Sequence, residues 1–225
     1  MRVVLDGVTV DGRREPLLAT MNLGWSTHEA VLAAAEPGHG HTALALVATG
    51  RLAPSAGHVL LDGVDATPAD LRAASAVVDV PGVNEPDDAL TLADVVAEGL
   101  ALAGQRSRPR DVQRFLDERA LGGDRDRRVD QLPGAVRTAI LAGLATADPA
   151  VRLVVLTLPD RHGGDPVAWW DLARSLAAAG RGVLVGCTRS SARDLGVDLA
   201  PAVGDSRHEP PRVVRRAAFA PEETS

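Results

Sequence analysis

Three short runs of almost unbroken apolar residues constrain this chain most: Ala30-Val31-Leu32-Ala33-Ala34-Ala35, Val151-Arg152-Leu153-Val154-Val155-Leu156 and Gly182-Val183-Leu184-Val185-Gly186-Cys187. A strand with one wet face alternates apolar with polar residues. A run that stays apolar suits a strand covered on both faces, as in the parallel sheet of an α/β protein. Helical spacing fills the intervals, over 43–50, 90–104, 109–120, 134–147 and 166–179, with a short helix and then a strand within 68–80. Strands alternating with helices in this way predict a parallel α/β core.

The remaining segments fit around that core. Residues 1–35 read as strands, with turns at Asp11-Gly12, and 57–62 reads as another that ends at Asp62-Gly63. The turn-rich stretch 81–88 leads into the helical stretch 90–147, which sits as an insertion between core strands. The chain therefore divides into one domain over 1–204, with a helical subdomain at about 85–147, and a C-terminal segment over 205–225. That segment is rich in Arg, Pro and Glu and is expected to fray as a flexible tail, with Arg212, Arg215 and Arg216 solvated. Trp169 and Trp170 lie on a helix where one should pack in the core and the other stay partly exposed.

Composition excludes several classes. A chain of 225 residues suits one domain, and its net charge of -6 gives no clustered cations for nucleic-acid phosphates. The single cysteine, Cys187, excludes an internal disulfide and follows an apolar strand as a buried, inert thiol would. No stretch approaches the roughly 18–20 apolar residues of a membrane span, and the N-terminus lacks the apolar core of a secretory signal. A cytoplasmic protein is expected, with any membrane association supplied by a partner. All 24 basic residues are Arg; there is no Lys in the sequence.

The loop Glu36-Pro37-Gly38-His39-Gly40-His41-Thr42 follows the first apolar run and precedes a helix, and Gly57-His58-Val59-Leu60-Leu61-Asp62-Gly63 follows that. Leu90-Thr91-Leu92-Ala93-Asp94-Val95, Leu132-Pro133-Gly134, Ala147-Asp148-Pro149, Pro159 and Asp165-Pro166 come next, in that order. This ordered set, over about residues 1–200, resembles the ATPase domains of ATP-binding cassette (ABC) transporters. The resemblance implies an α/β P-loop NTPase-like fold: a parallel core sheet with an N-terminal antiparallel β part and a helical insertion.

The family's functional positions do not carry across. Its phosphate loop reads G-x-x-x-x-G-K-[ST], in which backbone N–H groups wrap the phosphates, Lys reaches the β/γ oxygens and the hydroxyl holds Mg²⁺. Here the candidate nucleotide-binding residues are Gly38, His39, Gly40, His41, Thr42 and Ala43. Gly40 and Thr42 fit, Ala35 stands at the first Gly, and His41 stands at the Lys. With a reference pKa of about 6.5, His41 is mostly neutral at pH 7. A protonated His41, with His39, would have to replace the missing cation. The strand that should deliver Asp and then Glu delivers Thr157 and Leu158, so Mg²⁺ loses a carboxylate and the attacking water loses its base, worth about 10²–10⁴-fold. Gly82 follows Val80-Pro81 in place of the Q-loop glutamine. Pro133-Gly134-Ala135-Val136 replaces the signature Ser-Gly-Gly-Gln, Thr188 is the match for the switch His, and 11–15 holds no aromatic for adenine.

Two readings of Gly38–Thr42 stand: a weak anion or nucleotide cradle at a helix N-terminus, or a relic turn that binds nothing. A metal site at His39, His41 and Glu36 would need a better ligand set. The resemblance implies a cytoplasmic subunit, peripheral to the membrane through a permease and paired with another cassette as a homodimer or heterodimer. The missing residues make it a structural or regulatory subunit with weak or no ATP hydrolysis, and any binding of ATP and Mg weak. The alternatives are a slow ATPase completed by a partner and a scaffold unrelated to transport.

Overall fold

The computed structural model describes residues 1–200 and 209–220. Two sheets organise them. The first is wholly antiparallel, in the order β2-β1-β4-β5, built from β1 (Arg2–Val10), β2 (Leu18–Ser26), β4 (Ala56–Leu61) and β5 (Val64–Asp65). The second has the order β6-β7-β8-β3-β9, built from β3 (Glu29–Ala35), β6 (Ser75–Val78), β7 (Leu153–Thr157), β8 (Gly182–Thr188) and β9 (Arg212–Ala218). Its first four strands are parallel, and β9 runs antiparallel to β3 along the edge.

The three apolar runs are the centre of this second sheet. β7 is buried at all five positions, and β3 and β8 are buried at all but one end residue. Each fully buried branched side chain there contributes about 1.5–3 kcal/mol. One face packs on α1 (His39–Ala48), which lies between the two sheets among Val3, Leu5, Trp25, Val31 and Leu184. The other packs on α6 (Pro166–Ala178) through Leu32, Val154, Val183 and the tryptophans. Both tryptophans are buried, Trp169 at 2% and Trp170 at 5% exposure, so the expectation of one exposed member is corrected. A third core joins α3 (Leu92–Leu102), α4 (Pro109–Asp117) and α5 (Gly134–Ala145) through Leu92, Val96, Leu116 and Ile140. The helical insertion thus has its own apolar centre, and α5 also reaches the main core through Ala142. Between the sheets' connections, α2 (Pro68–Ala74) starts on a Thr67/Asp70 capping box.

The segment from 205 is corrected in its described part. Residues 212–218 are not a tail but the edge strand β9. Its arginines are engaged: Arg216 pairs with Glu29 at 2.6 Å, and Arg215 donates to the Leu195 carbonyl at 2.8 Å. Residues 205–208 and 221–225 lie outside the described residues. Among the described residues, no helix is long and apolar enough to cross a membrane.

Candidate functional site

The carboxyl ends of parallel strands gather the loops where ligands bind in open α/β sheets. In this chain those ends carry the loop after β3, the turn after β7, and α7 (Arg189–Asp194) after β8. The loop after β3 turns into α1 at His39, four residues before the spacing had placed the helix. Gly38 stands at the N-cap with an extended backbone and supplies no side-chain cap, and the first turn holds no acid. The N–H groups opening α1 are therefore left by their own side chains, which favours an anion there. Gly38 and His39 are exposed, Gly40 and Thr42 are half-buried, and Ala43 is buried.

His41 is not in that cradle. Its side chain folds inward and is 2% exposed. A Cβ on Gly186 of β8 would lie 2.9 Å from its Nδ1, so that edge of the imidazole lies against the glycine of the neighbouring strand. Neither ring nitrogen makes a well-aligned hydrogen bond among the described residues. Burial pushes its pKa down from 6.5 to about 4, only partly offset by the Asp160 carboxylate and the Ala35 carbonyl. Burial thus favours the neutral form of the ring that stands at the lysine position. The same burial removes His41 from any pairing with His39, and the described residues contain no His, Cys, Asp and Glu cluster fit for a metal.

The end of β7 is equally altered. Thr157 is 2% exposed, with an Oγ1 that has no partner among the described residues. Leu158 follows in the left-handed region at φ 49°, so the backbone turns out of the sheet there. Asp160, the nearest acid, points elsewhere. Its Oδ2 accepts from the Thr188 amide at 2.8 Å, the Thr188 hydroxyl at 2.6 Å and the Ser191 hydroxyl at 2.8 Å. Thr188 is itself the N-cap of α7. Thr188 is therefore a capping hydroxyl held by a carboxylate. Cys187 is fully buried, and burial first, with Asp160 adding to it, pushes its thiol up, as expected of an inert side chain. Two of these residues do not fit Mg-ATP: His41 is buried where the family's pattern has a lysine, and Thr157 brings a buried hydroxyl where it has a carboxylate.

One cluster escaped the sequence. Asp79, just past β6, is 6% exposed and takes a positive φ of 56°. It accepts two 3.0 Å bonds from Arg137 of α5 and one of 2.9 Å from Arg161, which also reaches the Asp79 carbonyl and, at 3.0 Å, Glu85. His162 Nε2 approaches Oδ2 to 2.9 Å, off the line of a well-aligned hydrogen bond. Burial alone would raise the pKa of Asp79. The contacts with His162 and Arg137, and the charge of Arg161, outweigh it and hold the carboxyl well below the usual carboxylate range. Asp88 lies 3.6 Å from Arg137 at the wet side. This network ties the loop after β6, the start of the helical insertion's last helix and the turn after β7 together. The only hints in sequence were an acid ending an apolar strand and an arginine inside an apolar helix.

The comparisons agree with this architecture. No family model matches the chain. It is 34% identical over 154 residues to the taurine import ATP-binding protein TauB of Pseudomonas putida, covering 64% of this chain and 54% of that one. It is 32% identical over 157 residues to the TauB of Pseudomonas entomophila, covering 64% and 55%. The chain thus spans about half the length of the curated relatives it matches. Among solved structures it resembles an ATP-binding cassette of an ABC transporter with TM-score 0.64 at 18% identity, over 83% of this chain and 81% of that one. A putative ABC transporter ATP-binding protein from Pyrococcus furiosus matches with TM-score 0.61 at 14% identity, over 84% and 92%. Over those 154 residues the chain is similar in sequence to taurine import ATP-binding proteins, and its fold is that of the ATP-binding cassette of an ABC transporter.

Proposed function

We propose that this chain is a cassette subunit of an ABC transporter that does not turn over ATP and acts as a structural or regulatory partner beside a membrane permease and a second cassette. The observation that carries this is His41: the group at the lysine position is neutral, buried and packed on Gly186. Thr157 and Leu158 support it, since neither can supply the negative charge or the base that hydrolysis needs. The domain then includes β9 as the edge strand of its core sheet, with its helical subdomain at about 85–147, and Gly38–Ala43 is a nucleotide cradle reduced to backbone N–H groups.

The test is ATP hydrolysis by the purified chain, alone and reconstituted with permease and partner cassette, with calorimetry of Mg-ATP at pH 6 and pH 8. The chain alone is expected to release phosphate no faster than the buffer blank. Binding is expected to be weak or absent and equal at both pH values, because His41 is neutral at each. Turnover in the reconstituted complex that is lost on Thr42→Ala would replace this reading with that of a partner-completed ATPase. Binding that tightens at pH 6 in wild type but not in His41→Met would show that His41 leaves its pocket and takes a proton.

A further inference from the structure

The turn between α3 and α4 carries positive charge that no contact answers. From Ala101 to Arg110 only Ala103 and Ser107 are even half-buried, so the turn stands out from the helical insertion. Arg106, Arg108 and Arg110 alternate along it, and no acid lies between Glu98 and Asp111. None of these three guanidinium groups forms a hydrogen bond or an ion pair among the described residues. Arg137, Arg161 and Arg216, by contrast, are all engaged. The neighbouring acids are taken: Asp111 is 4% exposed and lies 3.4 Å from Arg114, and Glu118 lies 3.6 Å from Arg119. On the same turn stands Leu102, the last residue of α3, which at 82% is the most exposed large apolar residue described. The backbone beneath these side chains is fixed. Gly104 takes a left-handed φ of 68°, the Gln105 amide donates to the Leu100 carbonyl at 2.8 Å, and Pro109 opens α4.

We propose that this turn, through Leu102, Arg106, Arg108 and Arg110, is a contact for an anionic lipid surface. The proposal rests on the reading above only for the nearness of a bilayer, which a partner of a membrane permease has. An exposed leucine or a short run of arginines is by itself ordinary protein surface. Side by side on one projecting turn they match the two halves of a bilayer's interface: the apolar side chain enters the acyl boundary while the cations beside it meet headgroup phosphates. Guanidinium suits that role, because it stays charged and its fork of N–H donors fits a phosphate. The shape favours a lipid surface over an acidic peptide, since a projecting turn meets a flat surface whereas a peptide needs a groove to lie in. The net charge of -6 adds direction. An anionic bilayer repels the molecule as a whole and attracts it at this turn, so it binds in one orientation. Because the turn is already fixed, little chain entropy is lost on contact.

The purified full chain is sedimented at low salt with vesicles of phosphatidylcholine, alone or mixed with phosphatidylglycerol, as wild type and as Arg106→Gln/Arg108→Gln/Arg110→Gln. The replaced side chains are exposed and unpaired, so the triple variant is expected to melt within a few degrees of wild type. Wild type is expected to partition at least tenfold more strongly onto the mixed vesicles than onto phosphatidylcholine. At about fivefold per arginine near such a surface, the triple variant should lose about a hundredfold. Orientation is read separately. Cys187 is fully buried, so a thiol introduced by Leu102→Cys, or by Val64→Cys on β5 where the residue is 70% exposed, takes an environment-sensitive dye selectively. The dye at 102 should shift to the blue on the mixed vesicles, and the dye at 64 should not. Wild type that ignores phosphatidylglycerol, a triple variant that binds as wild type does, or equal shifts at 102 and 64 would each overturn the proposal. Retention on polyglutamate without binding to the mixed vesicles would overturn it too, and make the turn a site for an acidic protein. Neither nucleotide nor permease enters these measurements, so their failure leaves the cassette reading standing, and ATP turnover by the chain would leave the lipid contact standing.

Discussion

Between pH 7 and pH 4 the folded state is expected to lose about 3 kcal/mol through His41 alone. In the unfolded chain the ring takes up its proton near 6.5, whereas in the fold it does so only at about 4. Across that window the unfolded state binds more protons, so acid favours unfolding. The stability is therefore fully present above 6.5, falls as pH drops, and levels off below about 4. The gap corresponds to about 3 kcal/mol, a large share of the 5–15 kcal/mol that a domain usually has. Other groups titrate in the same range, so the decisive quantity is the difference between wild type and His41→Met. Methionine fills the space against Gly186 with an adaptable apolar chain and takes no proton. Urea denaturation at pH 7, 6, 5 and 4, followed by the fluorescence of the buried Trp25, Trp169 and Trp170, should show the variant matching or exceeding wild type at pH 5 and the slope with pH reduced. Equal slopes in the two proteins would mean that the imidazole leaves its pocket on protonation at little cost, and with it would go the argument that position 41 brings no cation to the phosphate loop.

How much of this was legible in the sequence depends on the range of the interaction that decides each element. β3, β7 and β8 were plain because two-sided burial writes itself into every residue of a strand. The helical insertion was plain for a similar reason: α3, α4 and α5 each carry their own apolar periodicity. The start of α1 was not, because Gly38-His39-Gly40-His41 has neither a capping side chain nor a first-turn acid, and the helix begins there through its packing between the sheets. The strand β9 was hidden by composition. Arg212-Val213-Val214-Arg215-Arg216 looks like a solvated stretch, yet it is an edge strand, half wet, whose charges find Glu29 and the Leu195 carbonyl far away in sequence.

The candidate site divides along the same line. Which residues occupy the loop and the end of β7 was readable directly, and so was the loss of Lys, Asp and Glu. Where their side chains go was not. A histidine at a lysine position looks like a weaker cation aimed at phosphates. Only the fold places a side-chain-free residue, Gly186, beside it and so opens the pocket into which it turns. The identity of a residue is local information, whereas its rotamer and its charge depend on neighbours from another strand. Asp160 is the same case. It looked out of register for metal binding, and the fold adds that its Oδ2 is already taken by Thr188 and Ser191.

Arg137→Met should be among the most damaging single changes in the chain, costing about 3 kcal/mol or more. Removing one partner of a buried ion pair leaves the other charge without compensation, which typically costs about 3–5 kcal/mol. Arg137 gives Asp79 two 3.0 Å bonds in a site where the side chains are 3% and 7% exposed, so little water can replace them. Arg161 and His162 remain beside Asp79 and hold the effect toward the lower end of that range. Asp79→Asn is the informative companion. Asn tolerates the positive φ of 56° at this position, so it removes the charge without straining the backbone. The double variant should then cost about 2 kcal/mol less than the two single changes added together, because the charge that Arg137→Met orphans is already gone. A pH profile separates this pair from His41. A carboxylate whose pKa is depressed in the fold contributes stability that is present above its unfolded value, near 3.9, and is lost only as pH falls below that. Asp79→Asn should therefore flatten the acid limb below about pH 4 and leave the pH 4–6.5 limb to His41. Additive costs in the double variant would mean that Arg137 acts by packing alone, and the helical insertion would then be joined to the core by its apolar contacts rather than by this charge network.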